Sequence, residues 1–134
     1  MRRTGLLCSV SVALMVVAAC NRGHPFEPGN QPEFSNDTNL FQWQAVAMDN
    51  NSEVLNYTWT TTGAWAMVEQ IPEFTGGTAL LRIWDAAGVP VYARDLDKFG
   101  TYPTTVGQAG SWTVEVRVSG ASGTVRFSIT RQLP

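Results

Sequence analysis

Apolar residues recur at every second position through most of this chain, and that period constrains its fold more than any other feature. Residues 111–119 and 123–131 alternate strictly between apolar and polar side chains, which is typical of strands with one buried face. The predicted inward residues of these two segments are Trp112, Val114, Val116, Val118, Val125, Phe127 and Ile129. Gly120 and Gly123 lie between the segments and tolerate a positive φ, so we predict an antiparallel hairpin.

The same alternation extends upstream. Residues 40–47 and 54–61 place their aromatic residues on one side, and further strands are predicted at 65–71, 78–85, 89–96 and 101–106. In residues 78–85 we expect Leu81 and Ile83 to point inward, with Leu80 and Trp84 at a second layer or an edge. No window after the N-terminal region carries a capped helical period. The predicted class is therefore all-β, a single antiparallel β-sandwich of immunoglobulin-like or jelly-roll type with about eight short strands.

Part of this region resembles the β-sandwich domains that are appended to secreted bacterial proteins, including pre-peptidase C-terminal domains. An Asp-x-x-Gly turn is supplied by Asp85 to Gly88, and a Gly-Ser-aromatic-Thr-Val strand by Gly110 to Val114. The resemblance covers residues 76–131 and implies the fold. It carries no active site to this chain.

The first 19 residues have the layout of a signal peptide. Arg2 and Arg3 precede an uncharged apolar run over residues 6–17, and Ala18 and Ala19 close it. The run is shorter than the ~20 residues that a membrane-spanning helix needs, so we expect cleavage and not a permanent span.

Val17, Ala18, Ala19 and Cys20 resemble the lipobox of bacterial lipoproteins. The resemblance implies cleavage before Cys20, a diacylglyceryl group on its sulfur and further acylation of the new amino terminus. Several acyl chains hold a protein stably to a membrane, whereas one holds it only marginally. Secretory cleavage that leaves a free Cys20 is the alternative. Asn21 follows, where some lipoproteins of the inner membrane have aspartate, which favours the outer membrane or cell surface.

Residues 20–38 are rich in Pro, Asn and Gly, and we predict that they form a lipidated cysteine and a flexible tether. The β-domain would then span residues 39–134. Loss of Arg2 and Arg3 leaves seven basic against eleven acidic residues, which takes the formal charge from −2 to −4. A mildly acidic domain without a basic run is a poor partner for nucleic acid.

Catalytic residue types are scarce in the predicted domain. The single histidine, His24, falls in the predicted tether. Cys8 lies in the predicted signal peptide and the sulfur of Cys20 would carry the lipid, so the domain would have no free thiol. No Gly-x-Ser-x-Gly motif is present either, so we predict that the protein is not an enzyme. The same scarcity argues against zinc. Asp85, Asp95 and Asp97 are the best candidate metal ligands, for calcium, although a turn aspartate commonly bonds its own backbone.

Five tryptophans in so short a chain raise the question of carbohydrate binding, because sugars stack on exposed aromatic rings. Trp43, Trp59 and Trp112 fall on predicted inward faces and are assigned to the core. The candidates for exposure are Trp65, Trp84, Tyr92 and Tyr102. The sequence thus predicts a lipid-anchored, non-catalytic module of the cell envelope with an accessory, structural or protein-binding role. A carbohydrate-binding module that uses exposed aromatic residues, with or without calcium, is the alternative, and a small envelope enzyme is a third.

Overall fold

A computed structural model of the protein describes residues 23–133. The predicted signal peptide and lipobox, with Cys20, therefore lie outside the described residues. The described range is all-β and contains no helix, and accordingly no apolar helix long enough to cross a membrane. Its six strands are β1 (Glu33–Asn36), β2 (Leu40–Thr61), β3 (Trp65–Trp84), β4 (Pro90–Asp95), β5 (Gly100–Pro103) and β6 (Gly110–Gln132).

The six strands form one antiparallel sheet in the order β1-β2-β6-β3-β4, with β5 also paired to β3. Three of them, β2, β3 and β6, are 20 to 23 residues long and build most of the sheet. Each joins two segments that the sequence predicted as separate strands. The all-β antiparallel class is confirmed, and the predicted count of about eight strands is wrong for the described residues.

The predicted hairpin between residues 111–119 and 123–131 is also wrong. Both segments belong to β6, which pairs with β2 on one side and β3 on the other over its whole length. Gly120 and Gly123 do have positive φ, 56° and 106°, but they bend one strand and do not reverse the chain. The register shifts at the same level in β2 and β3, so all three strands are irregular together.

The bend divides the sheet into two regions. The first half-sheet comprises β1, β5 and residues 40–47, 65–74 and 123–132, and the second half-sheet comprises β4 and residues 51–61, 78–84 and 110–119. Their inner side chains touch within a single strand: the Trp43 indole N–H donates to the Tyr57 hydroxyl at 2.8 Å, and both residues lie on β2. Phe41 and Tyr57 have ring centroids 5.6 Å apart.

The core contains most of the residues that the alternation placed inward, together with others such as Phe26 and Tyr92. Trp43, Trp59 and Trp112 are almost fully buried, and the rings of Trp59 and Trp112 meet edge to face at 5.7 Å. Leu81 and Ile83 are buried as predicted, while Leu80 and Trp84 lie on the opposite, outer face and are only half-buried. Each buried indole removes a large apolar surface from water and so contributes substantially to stability.

One buried polar side chain links the two half-sheets. Gln70 of β3 is fully buried, and its amide nitrogen donates to the carbonyls of Lys98 at 2.7 Å and Asp95 at 3.0 Å. Its amide oxygen accepts from the Tyr92 hydroxyl of β4 at 2.7 Å. All three of these bonds join the first half-sheet to β4 or to the turn that follows it. The cluster therefore fixes the position of the β4–β5 turn.

Residues 23–38 are packed on the domain, in contrast to the predicted tether. His24 forms a bridge with Asn51, and Phe26 is 6% exposed within the core cluster. The Phe26 amide also donates to the Glu53 carboxylate at 3.0 Å, and β1 adds an edge strand to β2. Composition misled the prediction because one phenylalanine and a set of backbone hydrogen bonds fix a segment that is otherwise polar.

Candidate functional site

The outer face of the first half-sheet carries a row of polar side chains that crosses four strands. Strand pairing brings Ser35 of β1, Gln42 of β2, Ser128 of β6 and Glu69 of β3 opposite one another in turn. Residues that are paired across antiparallel strands share a face, so these side chains form a continuous line. The line is about 14 Å long, because it spans three strand spacings.

A second row runs beside the first. It consists of Glu33, Gln44, Arg126 and Ile71, one from each of the same strands. The Gln44 amide donates to the Glu33 carboxylate at 2.9 Å. Ile71 is the one apolar residue among these eight.

The two rows line a groove of about 410 Å³. Phe34, Trp43 and Phe127 also line it, although Trp43 and Phe127 turn their side chains to the core and so contribute backbone. A volume of this size lies within the range of ligand sites on proteins. The groove is open to solvent and runs across the strands.

Most polar groups of the groove have no partner within the described chain. Gln42, Glu69 and Arg126 make no side-chain hydrogen bond or ion pair there, in contrast to Gln44 and Glu33. Two carboxylates face one guanidinium, so the groove is close to neutral and slightly acidic. Such groups are available to donate to and accept from a ligand.

The outer face of the second half-sheet differs because the charges around Glu115 are already paired. Glu115 is 9% exposed and accepts from the Arg82 guanidinium at 2.8 Å, with Arg117 at 3.7 Å from its other oxygen. The Arg82 guanidinium also lies over the Trp84 ring, 5.1 Å from the centroid. These contacts consume the polar groups that a ligand would use.

The four aromatic residues predicted to be exposed do not form one surface. Trp65 and Trp84 are half-buried and lie at opposite ends of β3, and thus on different half-sheets. The prediction for Tyr92 is wrong: it is 8% exposed, because its ring points inward and its hydroxyl bonds Gln70. Burial raises the pKa of Tyr92 to about 12, although the neighbouring Arg94 opposes the shift.

Tyr102 lies at the open edge between β4 and β5. The Arg94 guanidinium is 3.7 Å from the centroid of the Tyr102 ring, and the Tyr102 hydroxyl donates to the Phe99 carbonyl at 2.9 Å. The stacked arginine covers one face of the Tyr102 ring, so that face is not open to a sugar.

Asp85 organises the turn between β3 and β4. Its Oδ1 accepts the backbone N–H groups of Val89 at 2.8 Å and Ala87 at 2.9 Å, and its Oδ2 accepts that of Gln108 at 2.8 Å. These bonds, with that from Val89 the largest, lower the pKa of the Asp85 carboxyl. The carboxylate thus binds the protein's own backbone, as turn aspartates commonly do.

The structure does not bring the three candidate calcium ligands together. Asp95 pairs with Leu80, whereas Asp85 follows Trp84 at the other end of the β3–β4 pair, roughly 16 Å of strand away. Asp97 lies in the turn after Asp95. Between residues 23 and 133 no group of three or more His, Asp or Glu side chains is arranged to hold a metal ion.

Cys20 lies outside the described residues, and His24 lies near the start of them. The His24 side chain is exposed, with its Nδ1 3.2 Å from the Pro25 carbonyl and 3.8 Å from the Glu27 carboxylate. Because its backbone pairs with Asn51, it is held at the level of the bend. No nucleophilic side chain is paired with it in the described part of the chain.

Sequence reasoning missed the groove. Its polar residues sit at outward positions of four strands, and outward polar residues occur on every strand of the sheet. Only long-range pairing decides which of them meet. Gln42, Gln44 and Arg126 carry no local motif that would have indicated a site.

Neither the protein-family models nor the curated proteins that were compared with this sequence contain a match to it.

Proposed function

We propose that this protein is a lipid-anchored, non-catalytic module of the cell envelope that binds an envelope component through the groove of its first half-sheet. The observation that carries the proposal is the groove itself, where Gln42, Glu69 and Arg126 present hydrogen-bonding groups that have no partner among the described residues. Elsewhere on the sheet, comparable groups such as Glu115 and Asp85 are occupied by the protein.

The proposed fold is a β-sandwich made from one bent sheet. Contacts between the inner faces support it, namely Trp43 with Tyr57 and Gln70 with Tyr92. The backbone bond from Leu96 to the Ala79 carbonyl, 2.8 Å long, closes the same side. Two packed layers with one core between them are a stable solution for strands that are apolar on one face.

The proposed anchor is a lipid on Cys20, inferred from the lipobox. Among the described residues His24 is the first that pairs with the sheet, and it lies four positions after Cys20. An extended chain of that length reaches at most about 14 Å, so the domain would be held close to the bilayer. The bend of the sheet would face the membrane, because His24 pairs there. Asn21 favours the outer membrane or the cell surface.

A non-catalytic role is supported by the condition of the reactive groups. Asp85 is engaged by three backbone N–H groups, and His24 is exposed. Glu33 and Glu69 both line the groove but lie on β1 and β3, three strand spacings or roughly 14 Å apart at the backbone. The two carboxylates therefore do not lie side by side on neighbouring strands.

The anchor is tested by labelling cells with an alkynyl palmitate analogue. The wild-type protein should take up the label and fractionate with membranes, and Cys20→Ser should do neither. Release of an unlabelled wild-type protein into the soluble fraction would refute the anchor.

The groove is tested by a photo-reactive amino acid placed at residue 42 in living cells. The matched control is residue 56, because Asn56 lies on the outer face of the second half-sheet and is likewise exposed. We expect a discrete cross-linked product from position 42 alone. Equal cross-linking from both positions, or none from either, would contradict binding at the groove.

A further inference from the structure

We propose that the groove binds an uncharged glycan strand bearing hydroxyl and acetamido groups, which lies across β1, β2, β6 and β3. This inference rests on the proposed function of the groove and names the ligand class that its side chains would recognise.

The first argument is the shape of the polar groups. Five of the side chains in the groove are planar and present two polar atoms or more on one edge: Glu33, Gln42, Gln44, Glu69 and Arg126. A carboxylate accepts from two adjacent hydroxyls, and a primary amide donates and accepts at once. Neighbouring hydroxyl and acetamido groups on a sugar ring offer the complementary pattern.

The second argument is direction and length. The row from Ser35 to Glu69 runs perpendicular to the strands with one side chain per strand. Its length of roughly 14 Å accommodates about three pyranose rings in a line. Because the row lies on a hydrogen-bonded sheet, its spacing is fixed before a ligand arrives, which lowers the entropic cost of binding.

The third argument separates a glycan from a peptide. Peptides bind sheets by pairing with an exposed edge or by filling apolar pockets. The groove begins at the edge strand β1 but runs across the strands and not along that edge, and Ile71 is its one apolar outward side chain. It therefore offers little that would hold the side chains of a peptide.

Charge argues against a polyanion. Glu33 and Glu69 outnumber Arg126 within the groove, so a nucleic acid or a strongly sulfated polysaccharide would meet net repulsion. Arg126 lies between Gln44 and Ile71 in its row, from which its guanidinium can donate to the carbonyl of an acetamido group.

The test is titration of the processed full-length protein, purified in detergent, with a tetramer of N-acetylglucosamine, followed by calorimetry and by backbone amide NMR shifts. We expect the shifts to be confined to residues 33–35, 42–44, 69–71 and 126–128. Glu69→Ala and Gln42→Ala should each weaken binding roughly tenfold, the loss expected when a charged or bidentate hydrogen bond is removed. Asn56→Ala is the matched control and should bind as the wild type does.

Melting curves decide whether a variant has lost binding or folding. Glu69 and Gln42 are exposed, so both variants should melt as the wild type does. No binding of the tetramer by a folded wild type, equal binding by Glu69→Ala, or shifts centred on Trp65 or Trp84 would each overturn the inference. If the photo-reactive group at residue 42 captured a protein and the tetramer did not bind, the glycan inference would fail while the binding-module function stood.

Discussion

Replacement of Gln70 by leucine should destabilise the protein strongly, although the two side chains have similar volumes. The side chain is fully buried and makes three hydrogen bonds, to Tyr92 and to the carbonyls of Asp95 and Lys98. Leucine has a similar volume but leaves all three groups without their partner. The two carbonyls belong to exposed residues and can regain water, whereas the Tyr92 hydroxyl is buried. An unsatisfied buried group costs about 1–3 kcal/mol, so we expect a total loss near 3 kcal/mol.

A double-mutant cycle isolates the bond between the half-sheets. Tyr92→Phe alone should cost about 1.5 kcal/mol, because it leaves the Gln70 oxygen unpaired. In the Gln70→Leu background the same change should cost nothing and should recover part of the loss, because it removes the unpaired Tyr92 hydroxyl. The coupling energy is then at least about 1.5 kcal/mol.

Urea unfolding followed by tryptophan fluorescence measures these free energies, because Trp43, Trp59 and Trp112 all leave the core on unfolding. With an m-value near 1.5 kcal/mol/M, a loss of about 3 kcal/mol moves the midpoint by roughly 2 M. Additive losses in the double variant would refute the reasoning, since they would mean that Gln70 and Tyr92 stabilise the protein independently.

Three other outcomes follow from the same structure. Phe26→Ala should lower the free energy of unfolding in urea by about 3–4 kcal/mol, because Phe26 packs in the core. Pro28 is exposed, so Pro28→Ala should cost almost nothing, and equal effects of the two changes would support a flexible tether instead. Gly77→Ala should lower the free energy of unfolding by at least about 1–2 kcal/mol, because Gly77 has a φ of 73° and a Cβ there would overlap the Gly120 carbonyl. At Gly76 a Cβ would meet nothing within 4 Å, so Gly76→Ala should be neutral by the same assay. Stability should fall as the pH rises from ~10 towards about 12, because burial raises the pKa of Tyr92 in the folded state and the unfolded chain therefore loses the phenol proton first. Melting temperatures at pH 9 and 11 should differ less in Tyr92→Phe than in the wild type, and an equal difference would count against the buried hydroxyl.

The alternation of apolar residues predicted the core well. Trp112, Val114 and Val116 are buried as expected, because a half-buried strand needs one apolar face whichever strand it pairs with. Pairing itself was not predictable. Gly120 and Gly123 have the positive φ of a turn, but whether such residues reverse or bend a strand depends on the partners available, here β2 and β3.

The candidate sites were predicted less well than the core. Asp85 was recognised as a turn residue, but its engagement with Gln108, 23 positions away, has no local signature. The Tyr92 ring can be buried because its hydroxyl donates a hydrogen bond to Gln70 on another strand, and no local pattern reveals such a pair. The groove likewise depends on the register of four strands, which a single sequence does not encode in any short window.

The continuity of β2, β3 and β6 through the bend has a consequence for how this protein opens. Each of these strands contributes to both half-sheets, so neither half-sheet can detach while the other stays intact. Amide protons deep in the two half-sheets should therefore exchange with solvent through the same rare global event, with closely similar protection factors. Such a molecule would resist proteases as a single cooperative unit, and the many contacts between distant parts of its sequence would make it slow to fold.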